Sequence, residues 1–367
     1  MTIETQSPGR RSLLLGSAAI AEAMIAAGCR FFAGYPMTPF TEVLEHMAGR
    51  LPAVGGVCMN AESELEAVGM AWGAAATGTP AATGSTGQGL SLMQESLAEI
   101  TLARIPLVVL NMARAQSDYW QATRGGGHGD YRHLVLAPGD VAEAVELVQL
   151  AFHLAATWRN PVLVLGDYYL AHTMRSVDIE RRRFGPEPPT DWALTGRSGG
   201  TGHAKLLSFL GSSKQRDDVG YDLATHYVAC AEHTAAMLTE TRPLVETGLV
   251  EDADVVVVAF GTPCAYLRTA ILSLRAEGHR IGWVRPITLV PFPAQAVAEV
   301  GRHSKAVAVY ENNTGQMIDD VRLAVSGALP VEFIGGVSLD SAGFGIAPDF
   351  DVEILRHRLL DVLGRYS

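Results

Sequence analysis

The segment NAESELEAVGMAWGAAATGTPAATGSTGQGLSLMQE, residues 60–95, opens with three glutamates and then contains no charged side chain between Glu66 and Glu95. Pro80 and several glycines interrupt the uncharged part, so the pattern predicts helix, short strand and helix rather than one membrane-spanning helix. A short apolar strand between two helices is typical of a parallel sheet covered on both faces. The segment therefore predicts an α/β fold with carboxylates at the start of a buried helix.

The same alternation of strands and helices extends on both sides of this segment, from about residue 13 to residue 170. Stretches rich in Arg, Pro and Gly then interrupt it, before α/β alternation returns near the end of the chain. We predict a doubly wound, mainly parallel α/β domain at residues 1–195, a connection at residues 196–245 and a smaller α/β domain at residues 246–367.

The composition excludes several classes of function. A net charge of −11 argues against nucleic-acid binding, which requires a basic face. The four cysteines, Cys29, Cys58, Cys230 and Cys264, are scattered and form no CxxC pair, so we expect this chain alone to hold neither an iron–sulfur cluster nor structural zinc. A disulfide framework is not expected in so large and core-rich a chain, and a reducing cytoplasm is the expected location.

The amino-terminal sequence GRRSLLLGSAAIAEAMIAAG loosely resembles a twin-arginine export signal. Glu22 falls inside the apolar run that such a signal would need, and the run ends at a glycine. We therefore interpret this stretch as a first strand and helix. No membrane association is expected.

Glu64 differs from the glutamates on either side of it. If the helix begins with Asn60 as its N-cap, a turn of about 100° per residue puts Glu62 and Glu66 on one face and Glu64 about 200° away, on an apolar face. All three carboxylates suit the positive end of the helix dipole. For Glu64 the pattern leaves two interpretations open, a simple dipole effect and a functional carboxyl directed toward the core.

The sequence TGSTGQG, residues 83–89, lies between a short strand and a helix. Glycines at such a turn can bind an anion at the helix N-terminus. The spacing does not match GxGxxG, and no lysine follows as in a P-loop. A glycine-rich connector required by close packing explains the sequence equally well.

Two more candidate residues follow predicted strands, where open α/β sheets place their ligands. Thr38 lies in YPMTPF, whose prolines exclude helix, and it is either an N-cap or a ligand contact. Arg114 follows the strand IPLVVLNM and is either a surface residue or a substrate clamp. His128 and His133 have no matching ligand set elsewhere, so no metal site is predicted.

Several motifs occur together in an order that closely resembles the α subunit of the 2-oxoacid:ferredoxin oxidoreductases, most nearly the 2-oxoglutarate type. The resemblance covers nearly the whole chain. The motifs that carry it are AGYPMTP, AESELEAVGMAWGAAATG, GSTGQGLSLMQE, IPLVVLNMAR, VLAPGDV, VRPITLVPFP and ENNTGQM.

This resemblance implies a fold and an activity. The first domain would be the pyrimidine-binding domain of a thiamine diphosphate enzyme, and the second would be similar to the C-terminal domain of transketolase. The enzyme would oxidatively decarboxylate a 2-oxo acid to acyl-CoA and CO2, with coenzyme A as co-substrate and ferredoxin as electron acceptor, or run the reverse carboxylation.

The resemblance also implies roles for individual residues. Glu64 matches the family's catalytic glutamate, which hydrogen-bonds the cofactor's aminopyrimidine ring and promotes the imino tautomer that removes the thiazolium C2 proton. Tyr35 and Pro36 would be cofactor contacts. Thr38 and Arg114 match positions that contact the carboxylate and oxo group of the substrate.

A motif that is absent from the sequence implies a partner. The Gly-Asp-Gly with a downstream Asn-Asn that binds diphosphate and Mg²⁺ in such enzymes does not occur, because the ENN at residues 311–313 has no Gly-Asp-Gly upstream. The resemblance therefore implies half an active site. A β subunit would carry the diphosphate and Mg²⁺ site and a [4Fe–4S] cluster, in a dimer of heterodimers with thiamine diphosphate at the interface.

The sequence departs from its relatives after Arg114. They usually continue with Gly-Pro-Ser-Thr-Gly, whereas this chain has AQSDYWQATRGGGHGDYR, which includes Tyr119, Trp120 and Tyr131. Aromatic side chains often line apolar pockets, so a branched or aromatic 2-oxo acid is an alternative to 2-oxoglutarate. Two other functions remain open at this point, half of a non-oxidative thiamine diphosphate decarboxylase or carboligase, and a non-catalytic nucleotide-binding scaffold that uses GSTGQG.

Overall fold

The computed structural model describes most of the chain as two α/β units. The described residues are 11–196, 223–336, 338–339, 346–347 and 351–366. Much of the predicted connection at residues 196–245 and the first of the two arginines before the apolar run therefore lie outside the described residues.

The first unit alternates strands and helices, as the sequence predicts. Its elements are β1 (Ser12–Leu15), α1 (Gly16–Ala26), β2 (Phe31–Gly34), α2 (Thr41–Arg50), β3 (Val57–Asn60), α3 (Glu64–Ala76), β4 (Ala81–Ser85), α4 (Gly87–Leu102), β5 (Leu107–Ala113), α5 (Tyr119–Arg124), β6 (Leu134–Leu136), α6 (Val141–Trp158), β7 (Pro161–Asp167), α7 (Tyr168–His172) and β8 (Met174–Val177), with 3-10 helices at Leu51–Val54 and Gln116–Asp118.

The second unit is smaller and again α/β. Its elements are β9 (Val245–Gly248), β10 (Val255–Val258), α9 (Pro263–Ala276), β11 (Ile281–Pro286), β12 (Thr288–Val290), α10 (Ala294–Gly301), β13 (Ala306–Val309), α11 (Met317–Val325), β14 (Val331–Phe333), β15 (Ser338–Leu339), β16 (Ile346–Ala347) and α12 (Val352–Tyr366). The helix α8 (Leu223–Glu240) precedes these elements and contacts the first unit, where Arg104 donates a hydrogen bond to the Ala229 carbonyl oxygen. None of the helices in the described part of the chain is both long and apolar enough to cross a bilayer.

The main sheet has the strand order β12-β6-β7-β5-β4-β2-β3, and all strands except β12 are parallel. This confirms the predicted doubly wound α/β class. The second sheet has the order β14-β13-β10-β11-β9, in which β9 alone is antiparallel to its neighbour. β1 lies outside both sheets and pairs with β8 as an antiparallel ribbon.

One strand joins the two units. β12 belongs by sequence to residues 246–367, yet it pairs with β6 and completes the main sheet, with Thr288 opposite Leu136. The pattern of the sequence could not reveal this pairing, because it joins residues that are far apart in the chain. The domain boundaries themselves stay a prediction.

Successive side chains of β5 point to opposite faces of the sheet and contribute to two separate apolar cores. Leu107 and Val109 pack in a core with α3 and α4, whereas Val108 and Leu110 pack on the other face with α1, α2 and α6. The first core continues without a break into the second unit, where it includes Phe260. The two units therefore share buried apolar surface, the main stabilising term in such a fold.

Arg285 on β11 is a buried ionic tie between the units. It donates two hydrogen bonds to Glu143 in the first turn of α6, at 2.7 and 2.8 Å, and one to Glu246 on β9, at 2.8 Å. Burial alone would lower the pKa of the Arg285 guanidinium, but these two carboxylates raise it above its ordinary value. The stability of a buried ionic group of this kind depends on all its members, since the loss of one residue leaves the charge of another uncompensated.

We predict that Arg285→Met lowers the free energy of unfolding by about 3–5 kcal/mol, because Glu143 loses the guanidinium that it pairs with, and Glu246 is left with Arg268 alone of its two arginine partners. Thermal and urea denaturation would measure the loss. The matched control is Arg280→Met, which removes a guanidinium that is 55% exposed and pairs with Asp254. That exposed pair contributes about 0–1 kcal/mol. Equal losses in the two variants would contradict the role assigned to Arg285.

Candidate active site

The predicted site residues meet at one edge of the main sheet. β2, β4 and β5 are adjacent and parallel, so their carboxyl ends lie side by side. Within this edge, Gly84 lies opposite Gly34, and Ser85 lies opposite Asn111. Side chains from three separate parts of the sequence therefore reach the same place.

Glu64 is buried at this edge, and only 2% of its surface is exposed. The hydroxyl of Ser85, at the end of β4, donates a hydrogen bond of 2.9 Å to Glu64 Oε1. Glu66, two residues on, is exposed and interacts with the Ser63 hydroxyl. The sequence-based distinction between an inward Glu64 and an outward Glu66 is thus confirmed.

The predicted start of this helix is wrong. Asn60 is the last residue of β3, where it pairs with Gly34, and α3 begins only at Glu64 with Ser63 in the N-cap position. Sheet pairing keeps the chain extended as far as Asn60, so Glu62 precedes the helix and is exposed. Glu64 reaches the interior as the first helical residue rather than as the fourth.

The glycines of TGSTGQG make room for two carboxylates. A Cβ on Gly89 would lie 2.0 Å from Ser85 Oγ and 2.5 Å from Glu64 Oε1. A Cβ on Gly87, the first residue of α4, would lie 2.6 Å from a carboxylate oxygen of Asp118. Of the two interpretations of this motif, the structure therefore favours close packing, and the start of α4 is bordered by carboxylates of the protein itself.

Polar atoms without partners lie beside these carboxylates. Thr86 Oγ1 and Asn111 Oδ1 are buried and form no hydrogen bond with any described residue. Asn111 Nδ2 donates to Asp118 at 2.9 Å. Burial raises the pKa of the Asp118 carboxyl above its ordinary value, although Asn111 and the charge of Arg114 oppose this. Since buried polar atoms normally have partners, these two unpaired atoms are suited to bind a polar ligand at this edge of the sheet.

The fold brings Arg114 and Thr38 into contact, and the Arg114 side chain binds the main chain of Thr38 rather than its hydroxyl. Arg114 Nε donates a hydrogen bond of 3.2 Å to the Thr38 carbonyl oxygen, and both side chains are exposed. Tyr35 and Pro36 follow the end of β2 at the same edge, the first half-buried and the second exposed. All five predicted site residues therefore lie around the carboxyl ends of β2, β4 and β5.

The aromatic residues after Arg114 have structural contacts. Tyr119 is fully buried, and its hydroxyl donates to Asp320 at 2.6 Å. Burial raises the pKa of Tyr119 well above its ordinary value, and the Asp320 carboxylate adds to this shift. Tyr131 is buried and donates to Gln94 at 2.7 Å. Trp120 donates its main-chain and indole N–H to Gln316.

The two histidines of this region, His128 and His133, have different surroundings. His128 Nε2 lies 3.2 Å from Glu99. Burial lowers the pKa of His133 to about 4, so its ring is neutral near pH 7. Among the residues that the structure describes, no group of three or more His, Cys, Asp or Glu side chains could hold a metal ion.

Several site residues could not be assigned from the motifs. Ser85 and Gly89 lie within GSTGQG, a pattern that predicts a glycine-rich turn but does not indicate that Ser85 contacts Glu64. Asn111 had a signal that could have been used, because it is a polar residue inside the otherwise apolar strand LVVLNMA. Asp118 had none, because its position beside Gly87 depends on a contact between different elements.

Gly89→Ala should displace Glu64 or Ser85 and lower the free energy of unfolding by about 1–3 kcal/mol, because the added methyl group overpacks the site. Thermal denaturation would measure the change. Gly73→Ala in α3 is the control, since a Cβ at Gly73 meets no atom within 4 Å. It should be neutral or stabilising by about 0.5–1 kcal/mol. If Gly89→Ala were as stable as the control, the packing described above would be wrong.

Comparison with known proteins identifies the family. The family described as "Pyruvate flavodoxin/ferredoxin oxidoreductase, thiamine diP-bdg" matches residues 22–187, and "Pyruvate:ferredoxin oxidoreductase core domain II" matches residues 253–342. A ketoisovalerate oxidoreductase subunit VorB from Methanothermobacter marburgensis is 35% identical over 88% of this chain and 92% of its own length. The 2-oxoglutarate synthase subunit KorA of the same organism is 34% identical over 87% and 92%.

Solved structures agree with this assignment. The 2-oxoglutarate:ferredoxin oxidoreductase from Magnetococcus marinus, solved with 2-oxoglutarate, coenzyme A and succinyl-CoA bound, superposes with a TM-score of 0.78 at 26% identity, over 98% of this chain and 67% of that chain. A split-gene transketolase superposes with a TM-score of 0.57 at 14% identity over 97% of this chain and 100% of that chain, which shows a shared fold alone. Together these relatives and the matched families show that the chain belongs to the thiamine-diphosphate-dependent 2-oxoacid:ferredoxin oxidoreductases, as one subunit of such an enzyme.

Proposed function

We propose that this chain supplies the pyrimidine-side half of a thiamine diphosphate site, with Glu64 as its catalytic carboxyl. The reaction is the oxidative decarboxylation of a 2-oxo acid with coenzyme A to acyl-CoA and CO2, with electrons passed to ferredoxin, or the reverse carboxylation. The observation that carries the proposal is the buried Glu64, held by Ser85 in a space that Gly89 leaves open.

Glu64 is suited to hold a proton at a fixed position. Ser85 Oγ fixes Oε1, and the second carboxyl oxygen can share a proton with a ring nitrogen of the cofactor's pyrimidine. Thr86 Oγ1 and Asn111 Oδ1 are buried polar atoms that can orient the same ring. Tyr35 and Pro36 would contact it from the end of β2. Thiamine diphosphate, when bound, supplies the carbon nucleophile that adds to the 2-oxo carbon.

Arg114 is suited to bind the carboxylate of the substrate. Its Nε is fixed on the Thr38 carbonyl oxygen, and the two terminal nitrogens of a guanidinium can form a forked pair with a carboxylate. The exposed hydroxyl of Thr38 can donate a hydrogen bond to the oxo group. These two residues would orient the substrate.

The rest of the site belongs to a partner subunit in this proposal. The sequence lacks the Gly-Asp-Gly motif that would hold diphosphate and Mg²⁺, and its cysteines are not grouped as cluster ligands. A β subunit would therefore supply the diphosphate and Mg²⁺ site and the [4Fe–4S] cluster, in a dimer of heterodimers. Two relatives carry names that describe them as subunits, which supports an assembly of more than one chain type.

Among 2-oxo acids we favour 2-oxoglutarate, with the branched ketoisovalerate as the competing substrate. Tyr119 and Tyr131 have contacts inside the protein, so the aromatic character of the loop after Arg114 does not by itself argue for an apolar substrate pocket. The solved relative from Magnetococcus marinus contains 2-oxoglutarate. Of the two relatives described above, the one at 35% identity is named for ketoisovalerate and the one at 34% for 2-oxoglutarate, so these two names favour neither substrate.

Glu64→Gln should lower kcat by roughly 10²–10⁴-fold, because the amide replaces a proton-sharing carboxyl with little change in shape. The measurement is anaerobic reduction of a viologen dye, dependent on 2-oxo acid and coenzyme A, by the chain assembled with its partner subunit. Glu66→Gln is the matched control, since this neighbour is exposed, and it should keep wild-type kcat. Full activity in Glu64→Gln would refute the catalytic assignment.

Arg114→Gln should raise KM for the 2-oxo acid by roughly 10–100-fold, because a charge-assisted hydrogen bond to a carboxylate contributes about 1.5–3 kcal/mol. KM for coenzyme A should not change. The assay is run with 2-oxoglutarate, ketoisovalerate, pyruvate and phenylpyruvate, and the highest kcat/KM of the wild type names the substrate. Arg175→Gln, which removes an exposed arginine on β8, is the control. An unchanged KM in Arg114→Gln would remove Arg114 from the substrate site.

A further inference from the structure

The turn that follows Arg114 is anchored in the second unit. Gln116 is two residues beyond Arg114, and only 5% of its surface is exposed. Its side-chain Nε2 donates a hydrogen bond of 2.8 Å to the Phe260 carbonyl oxygen, and its Oε1 accepts one of 2.9 Å from the main-chain N–H of Asn312. The donor and the acceptor group of the Gln116 side-chain amide are therefore both hydrogen-bonded to residues of the second unit.

The main chain of the same turn is held as well. Asn313 Nδ2 donates to the Gln116 carbonyl oxygen at 3.0 Å, and Gln316 Nε2 donates to the Ser117 carbonyl oxygen at 2.8 Å. Four hydrogen bonds thus connect two consecutive residues of the first unit to the second unit. Side chains locked in this way fix a main chain more tightly than contacts at an exposed loop.

The residues that hold the turn are themselves fixed by Glu311. This carboxylate is fully buried and accepts main-chain hydrogen bonds from Gln316, Met317 and Ile318 at 2.8–3.1 Å, at the amino end of α11. It also accepts from Asn313 Nδ2 at 2.9 Å. Because a carboxylate is stabilised by unpaired N–H groups at a helix start, this turn of the second unit is a rigid support.

Further along the chain, other contacts hold α5 to the same support. Tyr119 and Arg124 both bond to Asp320, at 2.6 and 3.2 Å. These residues lie five or more positions beyond Arg114, whereas Gln116 lies two positions beyond it. Because only one residue separates Gln116 from Arg114, we expect a displacement of Gln116 to shift the main chain of Arg114.

We infer that Gln116 is a positioning residue for the reaction, through which the second unit sets where the Arg114 guanidinium meets the substrate carboxylate. The inference rests on the proposed function of Arg114. It assigns the second unit a part in substrate binding although none of its residues has been placed at the edge of β2, β4 and β5. Gln116 itself touches no substrate in this account and acts through Arg114.

The first test compares two buried glutamines in the enzyme assembled with its partner subunit. Gln116→Leu removes the tie to Phe260 and Asn312. Gln149→Leu is the matched control, because Gln149 is also buried, donates to the Glu180 carbonyl oxygen at 3.0 Å and accepts from the Arg182 N–H at 2.8 Å, on α6. Both variants should lose stability. Only Gln116→Leu should raise KM for the 2-oxo acid, by about tenfold, with KM for coenzyme A unchanged.

The second test is a double-mutant cycle with Arg114→Gln. If Gln116 acts through Arg114, then Gln116→Leu should raise KM in the wild type but have no further effect once Arg114 is replaced. Gln316→Ala is a milder variant for use if the Gln116→Leu chain does not assemble with its partner subunit. Gln316 is half-buried and holds the same turn through its hydrogen bond to the Ser117 carbonyl oxygen. This variant should give the same pattern with a smaller change in KM.

The outcomes separate this inference from the proposed function. Two results with an active wild type would overturn the positioning role and leave the proposed function intact. In the first, the effects of Gln116→Leu and Arg114→Gln on KM are additive. In the second, Gln116→Leu and Gln149→Leu raise KM equally. A wild-type complex that turns over none of the four 2-oxo acids would overturn the proposed function, and this inference with it. Non-additive effects on KM, confined to Gln116 and Gln316, support the inference.

Discussion

The parallel pairing of β2, β4 and β5 is the constraint on which the rest of the structure depends. Parallel neighbours need helical crossovers, and those helices cover both faces of the sheet, so that most residues of each strand are apolar on both sides. Loops at the carboxyl ends are then the parts free to carry polar side chains. Because all strands of the group run the same way, Glu64, Ser85 and Arg114 arrive at one edge.

A site built in this way needs very small residues. Two helices and a strand end converge where Glu64 lies, and the available space is set by the absence of a side chain at Gly89. The same relation recurs at Gly87 and Asp118. Gly87 and Gly89 are thus explained by steric contact between elements, and the flexibility of glycine has no part in it, since both residues lie in α4.

The second unit is joined to this edge by polar contacts as well as by the shared core. Buried polar ties are costly unless every group has a partner, and Gln116 and Arg285 both meet that condition. They fix the two units at separate places, one beside the candidate site and one at the start of α6.

The sequence by itself determined the α/β class and the six parallel strands of the main sheet, and it put Glu64 on an apolar face, because these follow from local apolar periodicity and composition. It misplaced the start of α3, since pairing of Asn60 with Gly34 prolongs the strand. Only the tertiary structure decided that Asp118 borders α4, that β12 enters the main sheet and that Gln116 reaches Phe260. Those contacts join residues distant in sequence, where side-chain periodicity carries no information about which surfaces will meet.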